Sequence, residues 1–454
     1  MLNLVNEIIW GYPALILILS VGVYIAIRNK FPQLKLFPET ITHFIRQFKK
    51  RNDQSGSGYA ALCTALAATV GTGNMIGVAY AIALGGPGAI FWMWVCGFLG
   101  MGIKFAEATL AVHYRTQNKS GEYIGGPMYM IEMGMGRSWK WLAIVYSAFG
   151  IFACFGVGNA AQVNAVVTGI NAASDQLGFQ FGYLMRWVVG FILAIVVGAV
   201  LVGGARRISN IAKLVVPIAA CGYMFLCIIV LFFRIEQVTD AFKMIFYGAF
   251  DPRAVTGGVL GSAFCALRVG ASKGTFTNEA GMGTASIAHA GANVSDPVDQ
   301  GLMGIMEVFI DTFVICTMTA LVILCSGVKI PYGIDGSASL LFESFSSVVG
   351  NWIRIPLGIA LCSFAVATIF GWSLYGLRCG EYLFGRKAWT ILAIIQSVMV
   401  VFGAVISTST AWTVSEILNG LMMIPNLIAL ISLNSKLIVL LEERKIGMRK
   451  SHPD

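Results

Sequence analysis

The chain has 454 residues, of which 57% are hydrophobic and 12% charged, and its mean hydropathy is +0.77. A soluble globular chain carries about twice that charged fraction, so a soluble enzyme or binding module is excluded and a polytopic membrane protein is indicated. The net charge of +9 comes without a basic stripe of interleaved stacking aromatics, so it points to membrane topology and not to a nucleic-acid partner.

Runs of about 20 apolar residues, the length that crosses a bilayer, predict eleven spans at 7–28, 59–85, 89–114, 141–171, 185–204, 207–233, 254–291, 299–326, 355–378, 388–406 and 411–434. The first lacks the basic leader and small-residue cleavage site of a signal peptide and runs directly into Arg28-Asn29-Lys30, so it reads as a retained helix. Segment 37–50 sets Phe37, Ile41, Phe44, Ile45 and Phe48 at helical spacing, with Arg46, Lys49, Lys50 and Arg51 near the other face. Such a helix either lies in the headgroups or docks as a loop helix, and the pattern leaves both readings open.

The span 59–85 is interrupted by Ala67-Ala68-Thr69-Val70-Gly71-Thr72-Gly73-Asn74. Glycine costs roughly 1 kcal/mol per helical position, and lipid tolerates an opened backbone only where it is buried or lines a cavity. An opened helix offers N–H groups to an anion and carbonyls to a cation. The Gly71 run is GxGxxxG inside an apolar helix and not the strand-borne dinucleotide loop. Gly270-Ala271-Ser272-Lys273-Gly274-Thr275 is not a phosphate loop either, because no Gly-Lys pair precedes its hydroxyl residue.

Further along, loop 115–140 with Gly125-Gly126-Pro127-Met128-Tyr129 is too polar to span. Segment 234–253 reads as a short helix or loop, and 327–354 as a long connection able to cap an entry path. The chain beyond Lys436 reads as a charged, frayed tail. All ten cysteines lie in or at the ends of apolar segments without a CxxC pair or Cys/His cluster, the pattern of buried small hydrophobes and not of disulfides or zinc.

Placing 29–58 inside assigns 22 of the 31 Lys and Arg residues to cytoplasmic loops and span ends. Arg234, Lys243, Arg253, Lys329 and Arg354 then fall outside, and Lys104, Arg186, Arg268 and Lys273 within spans. The expectation is an extracytoplasmic N-terminus and a cytoplasmic C-terminus. With the first span set aside (1–58, including the amphipathic linker), ten spans divide into 59–233 and 254–434, followed by a tail at 435–454. An odd number of spans per half forces the halves into opposite orientation. The first span of each half is expected to be broken, at Gly71-Thr72-Gly73 and between Arg268 and Gly274, and paired breaks point to a transporter site.

Thr69 to Gly77, the run Gly85-Gly86-Pro87-Gly88-Ala89 and Phe276-Thr277-Asn278-Glu279-Ala280-Gly281-Met282-Gly283 together resemble the alanine/glycine:cation symporter family. The resemblance covers essentially the whole chain. That family belongs to the class built like the bacterial leucine transporter, so the resemblance implies an all-α fold of two inverted five-helix repeats. It implies sodium-coupled uptake of alanine or glycine across a bacterial inner membrane by a monomer, with sodium as coupling ion, no other cofactor and no enzymatic activity. Val70-Gly71-Thr72-Gly73-Asn74 matches that class's unwound motif. By this match the N–H groups of Thr72 and Gly73 hold the substrate carboxylate, and the carbonyls of Ala67 and Val70 face sodium. The eighth repeat helix supplies the Thr368 hydroxyl and the Phe364 carbonyl to the same ion; Ala367 stands where a second hydroxyl is common. A second sodium site would use Thr69 and Asn74.

Gln162 is expected at the carboxylate, where the class uses a tyrosine hydroxyl. Backbone from Lys273 to Thr277, including Gly274, is expected at the ammonium, and Phe276 to close the pocket. Ionisable residues inside the membrane are functional suspects. Lys104 and Glu107, three apart, are expected to pair with one another. Glu307 and Asp311 share a face, Glu279 is expected to cap a helix or join Arg268 or Lys273 in a gate, and Glu416 to serve an outer gate. Rival readings are a proton-coupled amino-acid or polyamine carrier of the same fold, a channel, for which no continuous polar stripe is present, and an intramembrane enzyme, which lacks HExxH and is expected to lack facing His–carboxylate pairs.

Overall fold

The computed structural model describes residues 2–10, 12–49, 57–179, 182–251, 263–334, 337–406 and 408–451. Nearly all of this chain is helical, because a backbone in hydrocarbon must satisfy its own hydrogen bonds. Among the described residues the strands form one hairpin, Thr116–Gln117 (β1) antiparallel to Tyr123–Ile124 (β2), with Thr116 opposite Ile124.

Helices α1 (Leu2–Trp10) and α2 (Pro13–Arg28) make the first crossing, and α3 (Phe37–Lys49) follows. The second crossing is split into α4 (Gly58–Thr69) and α5 (Ile76–Gly85), and α6 (Gly88–His113) returns. Next, α7 (Lys140–Phe155) and α8 (Ala161–Gln176) form one rod with a π-helical turn at Gly156–Ala160, and α9 (Tyr183–Val202) and α10 (Gly204–Phe233) complete the first set. After α11 (Val238–Phe250), the second set opens with another split crossing, α12 (Ala263–Asn278) and α13 (Thr284–Ala290). It continues through α14 (Pro297–Val308) and α15 (Thr317–Cys325), joined by a π turn at Phe309–Cys316. Past α16 (Ser337–Val349) come α17 (Arg354–Phe384), α18 (Ala388–Gly403) and α19 (Thr408–Ser451).

Eight of these crossings are continuous helices long and apolar enough to traverse a bilayer. The two split crossings and α18 complete the eleven expected from run length. Residues 254–262, the expected start of the seventh span, lie outside the described residues, as do Lys50, Arg51 and Arg253. Helices α9 and α10 expose Ile192, Ile195, Leu214, Ile218, Phe225 and Phe232, an apolar outer surface that suits lipid. The split crossings, α6, α14 and α17 lie inside, with long runs of buried residues.

Two local expectations need correcting, and one left open is decided. Helix α12 runs unbroken from Ala263 to Asn278, so no break lies between Arg268 and Gly274. The small residues there allow close packing on α6. A Cβ on Gly270 would collide with Ala89 O and lie 2.8 Å from Trp92 Cβ, and one on Gly274 would lie 3.2 Å from Met93 Cα. The chain opens later, where Glu279, Gly281 and Gly283 have φ of 54°, 88° and 76°. The segment after Lys436 is not frayed: α19 continues to Ser451. Arg444 on it pairs with Glu39, with Asp296 at 2.6 Å and with Asp299 at 2.8 Å. These pairs tie the tail to α3 and to the N-terminus of α14. Finally, α3 is both docked and amphipathic. Thr40 and His43 are buried and Phe37 stacks edge-on against Phe309 at 5.0 Å, while Ile41, Ile45 and Phe48 remain exposed.

Candidate functional site

The first opening begins at Val70, whose φ/ψ of −79°/91° leaves the helical region, and continues through Gly71 at −143°/−154°. In an unbroken helix the Gly71 N–H would bond the Ala67 carbonyl; instead it donates to Asn74 Oδ1 at 2.8 Å. A single 3-10 turn, Thr72–Asn74, then leads into α5. The last carbonyls of α4 and the amides of Thr72 and Gly73 thus lose their α-helical partners in the middle of a buried crossing.

Four neighbouring helices surround this opening. From α8, the Gln162 carboxamide oxygen accepts from Thr72 Oγ1 at 3.0 Å, while its nitrogen donates to Val157 O in the π turn at 3.1 Å. From α12, Phe276 and Thr277 abut Gly73: a Cβ there would lie 3.0 Å from Thr277 Cγ2 and 3.7 Å from Phe276 Cδ1. From α17, Thr368 Oγ1 is so close that a Cβ on Gly71 would collide with it. This hydroxyl is buried without a hydrogen-bond partner, which is costly unless something occupies the space beside it. Phe364 lies one turn earlier and is fully buried. From the π turn after α14, Asp311 Oδ1 accepts from Asn74 Nδ2 at 2.6 Å and Oδ2 from Thr312 Oγ1 at 2.8 Å. Asp311 is fully buried, and among the described residues no Lys, Arg or His pairs with it.

The second opening is held differently. Glu107 on α6 accepts the N–H groups of Gly281 and Gly283 at 3.0 and 3.1 Å, and Asn426 Nδ2 at 2.7 Å, all on Oε1. The carboxylate serves as a built-in anion for the opened segment before α13. Glu279 accepts from Thr284 Oγ1 at 2.6 Å, and Met282 O from Tyr146 OH at 3.1 Å. The expected Lys104–Glu107 pair is therefore not formed. Lys104 reaches Glu307 at 2.9 Å, and Glu307 also bonds His289 at 2.9 Å, so a His–carboxylate pair between facing helices is present, contrary to the expectation from sequence. Neither does Glu279 meet Arg268 or Lys273 across a gate; Lys273 pairs with Glu416.

Of the residues singled out from sequence, Ala67, Val70, Thr72, Gly73, Asn74, Gln162, Phe276, Thr277, Phe364 and Thr368 gather at or beside the first opening. Gly274 does not, lying against Met93 and Cys96 on α6. Thr69 bonds back to Ala65 O at 3.2 Å. Sequence reasoning assigned no site role to Asp311 or Asn426. Buried amides and carboxylates in otherwise apolar helices were the available signal, but not the partner each one finds.

Residues 1–451 match the model of the sodium:alanine symporter family. The chain is 39% identical over 451 residues to the sodium/alanine symporter AgcS of Methanococcus maripaludis, covering 96% of this chain and 95% of that one. It is 36% identical to the probable sodium/glutamine symporter GlnT of Bacillus subtilis, over 97% and 89% of the two chains. Its fold is shared with MhsT, solved in complex with L-phenylalanine, at a TM-score of 0.57 and 14% identity over 82% of this chain and 89% of that one.

Proposed function

The chain belongs to the sodium:alanine symporter family, and from that premise we propose that it binds alanine or glycine together with sodium at the first helix opening. The substrate carboxylate sits on the N–H groups of Thr72 and Gly73, with Gln162 donating alongside. Bare amides opening a helix are an anion site by geometry and by dipole. The ammonium faces Asn74 and the carbonyls ending α12, near Thr277, and Phe276 closes the pocket. Gly274 is left out of this set because it is packed against α6.

Sodium takes the freed carbonyls of Ala67 and Val70, the Phe364 carbonyl and Thr368 Oγ1. The observation that carries this reading is the Thr368 hydroxyl, buried beside Gly71 and unpartnered. A hard cation wants oxygen ligands, and the unpartnered Thr368 hydroxyl lies beside the opening at which the last carbonyls of α4 lose their helical partners.

The α11/α16 end faces outside, since the excess of Lys and Arg lies at the opposite end, and the protein works as a monomer in a bacterial inner membrane. A unit cation entering down 100 mV contributes about 2.3 kcal/mol, and a tenfold sodium gradient about 1.4 kcal/mol. One ion thus supports accumulation of a neutral zwitterion by roughly a few hundredfold. Sodium couples to substrate by binding one conformation more tightly.

A second reading, proton coupling, is favoured by Asp311, because a buried carboxylate needs either a cation or a proton. Uptake of radiolabelled alanine into proteoliposomes decides between them when sodium and proton gradients are imposed separately. Accumulation driven by the sodium gradient and competed by glycine is expected. Accumulation that ignores sodium and collapses with the proton gradient overturns the sodium reading.

A further inference from the structure

The first membrane crossing lies outside the ten-helix repeat, yet it touches one member of a largely buried ion pair, Glu416, and the helix that carries the other, Lys273. Lys273 on α12 pairs with Glu416 on α19, their side chains 6% and 13% exposed. The Lys273 ammonium also lies 4.1 Å from the Tyr80 ring and 5.8 Å from the Phe276 ring. Lys273 is one helical turn, about 5 Å, beyond the Phe276–Thr277 step that abuts Gly73. Between these levels lies Gly77, which is buried although a Cβ on it would meet no atom within 4 Å. The pair therefore roofs an open space next to the first helix opening.

Helix α1 reaches Glu416 twice. Asn6 Nδ2 donates to its carboxylate at 2.6 Å and Trp10 Nε1 to its main-chain carbonyl at 2.7 Å. The approach is close enough that a Cβ on Gly420 would collide with Ile9. The next helix, α2, holds the other partner's helix. Tyr12 stacks on Phe264 at 5.1 Å, and Leu15 packs with Ala271. One crossing thus bridges α12 and α19 on either side of the Lys273–Glu416 pair.

We propose that this extra crossing is a clamp for the outer closure, with Asn6 and Trp10 positioning Glu416 against Lys273. Opening the vestibule at Gly77 requires α12 and α19 to part, which breaks the ion pair. Separating a largely buried pair is costly, and α1 adds to that cost by holding the Glu416 carboxylate in place against Lys273. The proposal needs the membrane orientation given above but not the identity of the substrate or ion.

The test is access to a Gly77→Cys side chain in the full-length chain, in right-side-out and inside-out vesicles. A membrane-impermeant maleimide is added and labelling at residue 77 is read by peptide mass spectrometry, without substrate. Glu416→Gln is expected to speed labelling from the outer face. Trp10→Phe and Asn6→Leu are each expected to do so by about fivefold, the change in equilibrium from one lost hydrogen bond. Combining Trp10→Phe with Glu416→Gln should label less than the product of the two single effects, since Trp10 acts through Glu416. Two results overturn the clamp: Trp10→Phe and Asn6→Leu that lower thermal stability but label at the native rate, or fully multiplicative effects. Faster labelling only from the inner face, or none with Glu416→Gln, overturns the closure itself. Alanine uptake does not enter this readout, so its failure and the clamp's are separable.

Discussion

The two helix openings solve the same backbone problem in opposite ways. At the second, the chain supplies its own anion: Glu107 consumes the N–H groups of Gly281 and Gly283. At the first, Asn74 Oδ1 accepts the Gly71 N–H, and among the described residues no acceptor meets the next two amides. One opening is sealed by a side chain, and the other is the one proposed above to bind the zwitterion. The inverted relationship is visible in the acceptors as well. The second crossing of each half delivers a buried carboxylate to the broken helix of the other half, Glu107 directly and Asp311 through Asn74.

The largest expected effect comes from filling the open site. Gly73→Phe places a ring against Thr277 and Phe276 and should abolish alanine uptake, with protein abundance near that of the native chain. Uptake at the native rate would remove the first opening from the binding role. Next is the sealed opening, where Glu107→Ala leaves the Gly281 and Gly283 N–H groups without their acceptor and Asn426 Nδ2 with the Gly281 carbonyl alone. Breaking such a buried charged network costs about 3–5 kcal/mol, so the folded yield in detergent should fall severalfold. A native yield and melting temperature would mean that the second opening does not depend on its built-in anion.

Asp311→Asn sharpens the contrast, since it removes a charge at the first opening without leaving a cation unpaired among the described residues. The protein should fold, and half-maximal sodium activation should move by about tenfold, the effect of roughly 1.4 kcal/mol. An unaltered sodium dependence together with a lost dependence on the proton gradient would assign this carboxyl to a proton instead. The smallest effect is expected from Thr368→Ala, which deletes one neutral oxygen and should raise the sodium concentration for half-maximal uptake about fivefold. No change would place the ion elsewhere.

How much of this was legible depends on the range of the interaction involved. Gly71 and Gly73 mark the first opening because their helix penalty and the Asn74 side chain act within four residues. The second opening was misplaced for a tertiary reason. Gly270 and Gly274 carry the same composition signal, but α6 packs onto them and keeps α12 intact, whereas Glu279, Gly281 and Gly283 open where Glu107 waits. Local spacing paired Lys104 with Glu107, three residues away. The fold pairs Lys104 with Glu307 instead, 203 residues on.

From residue order alone followed the eleven crossings, the helical class, the first opening and the family, since hydropathy, run length and backbone propensity are properties of short stretches. Tertiary structure alone decided which carboxylate seals which helix, where the second crossing parts, that the tail docks through Arg444, and that the first crossing grips Glu416. In a nonpolar interior a buried charge or amide must find a partner wherever the packing brings one, and that choice is made in space and not along the chain.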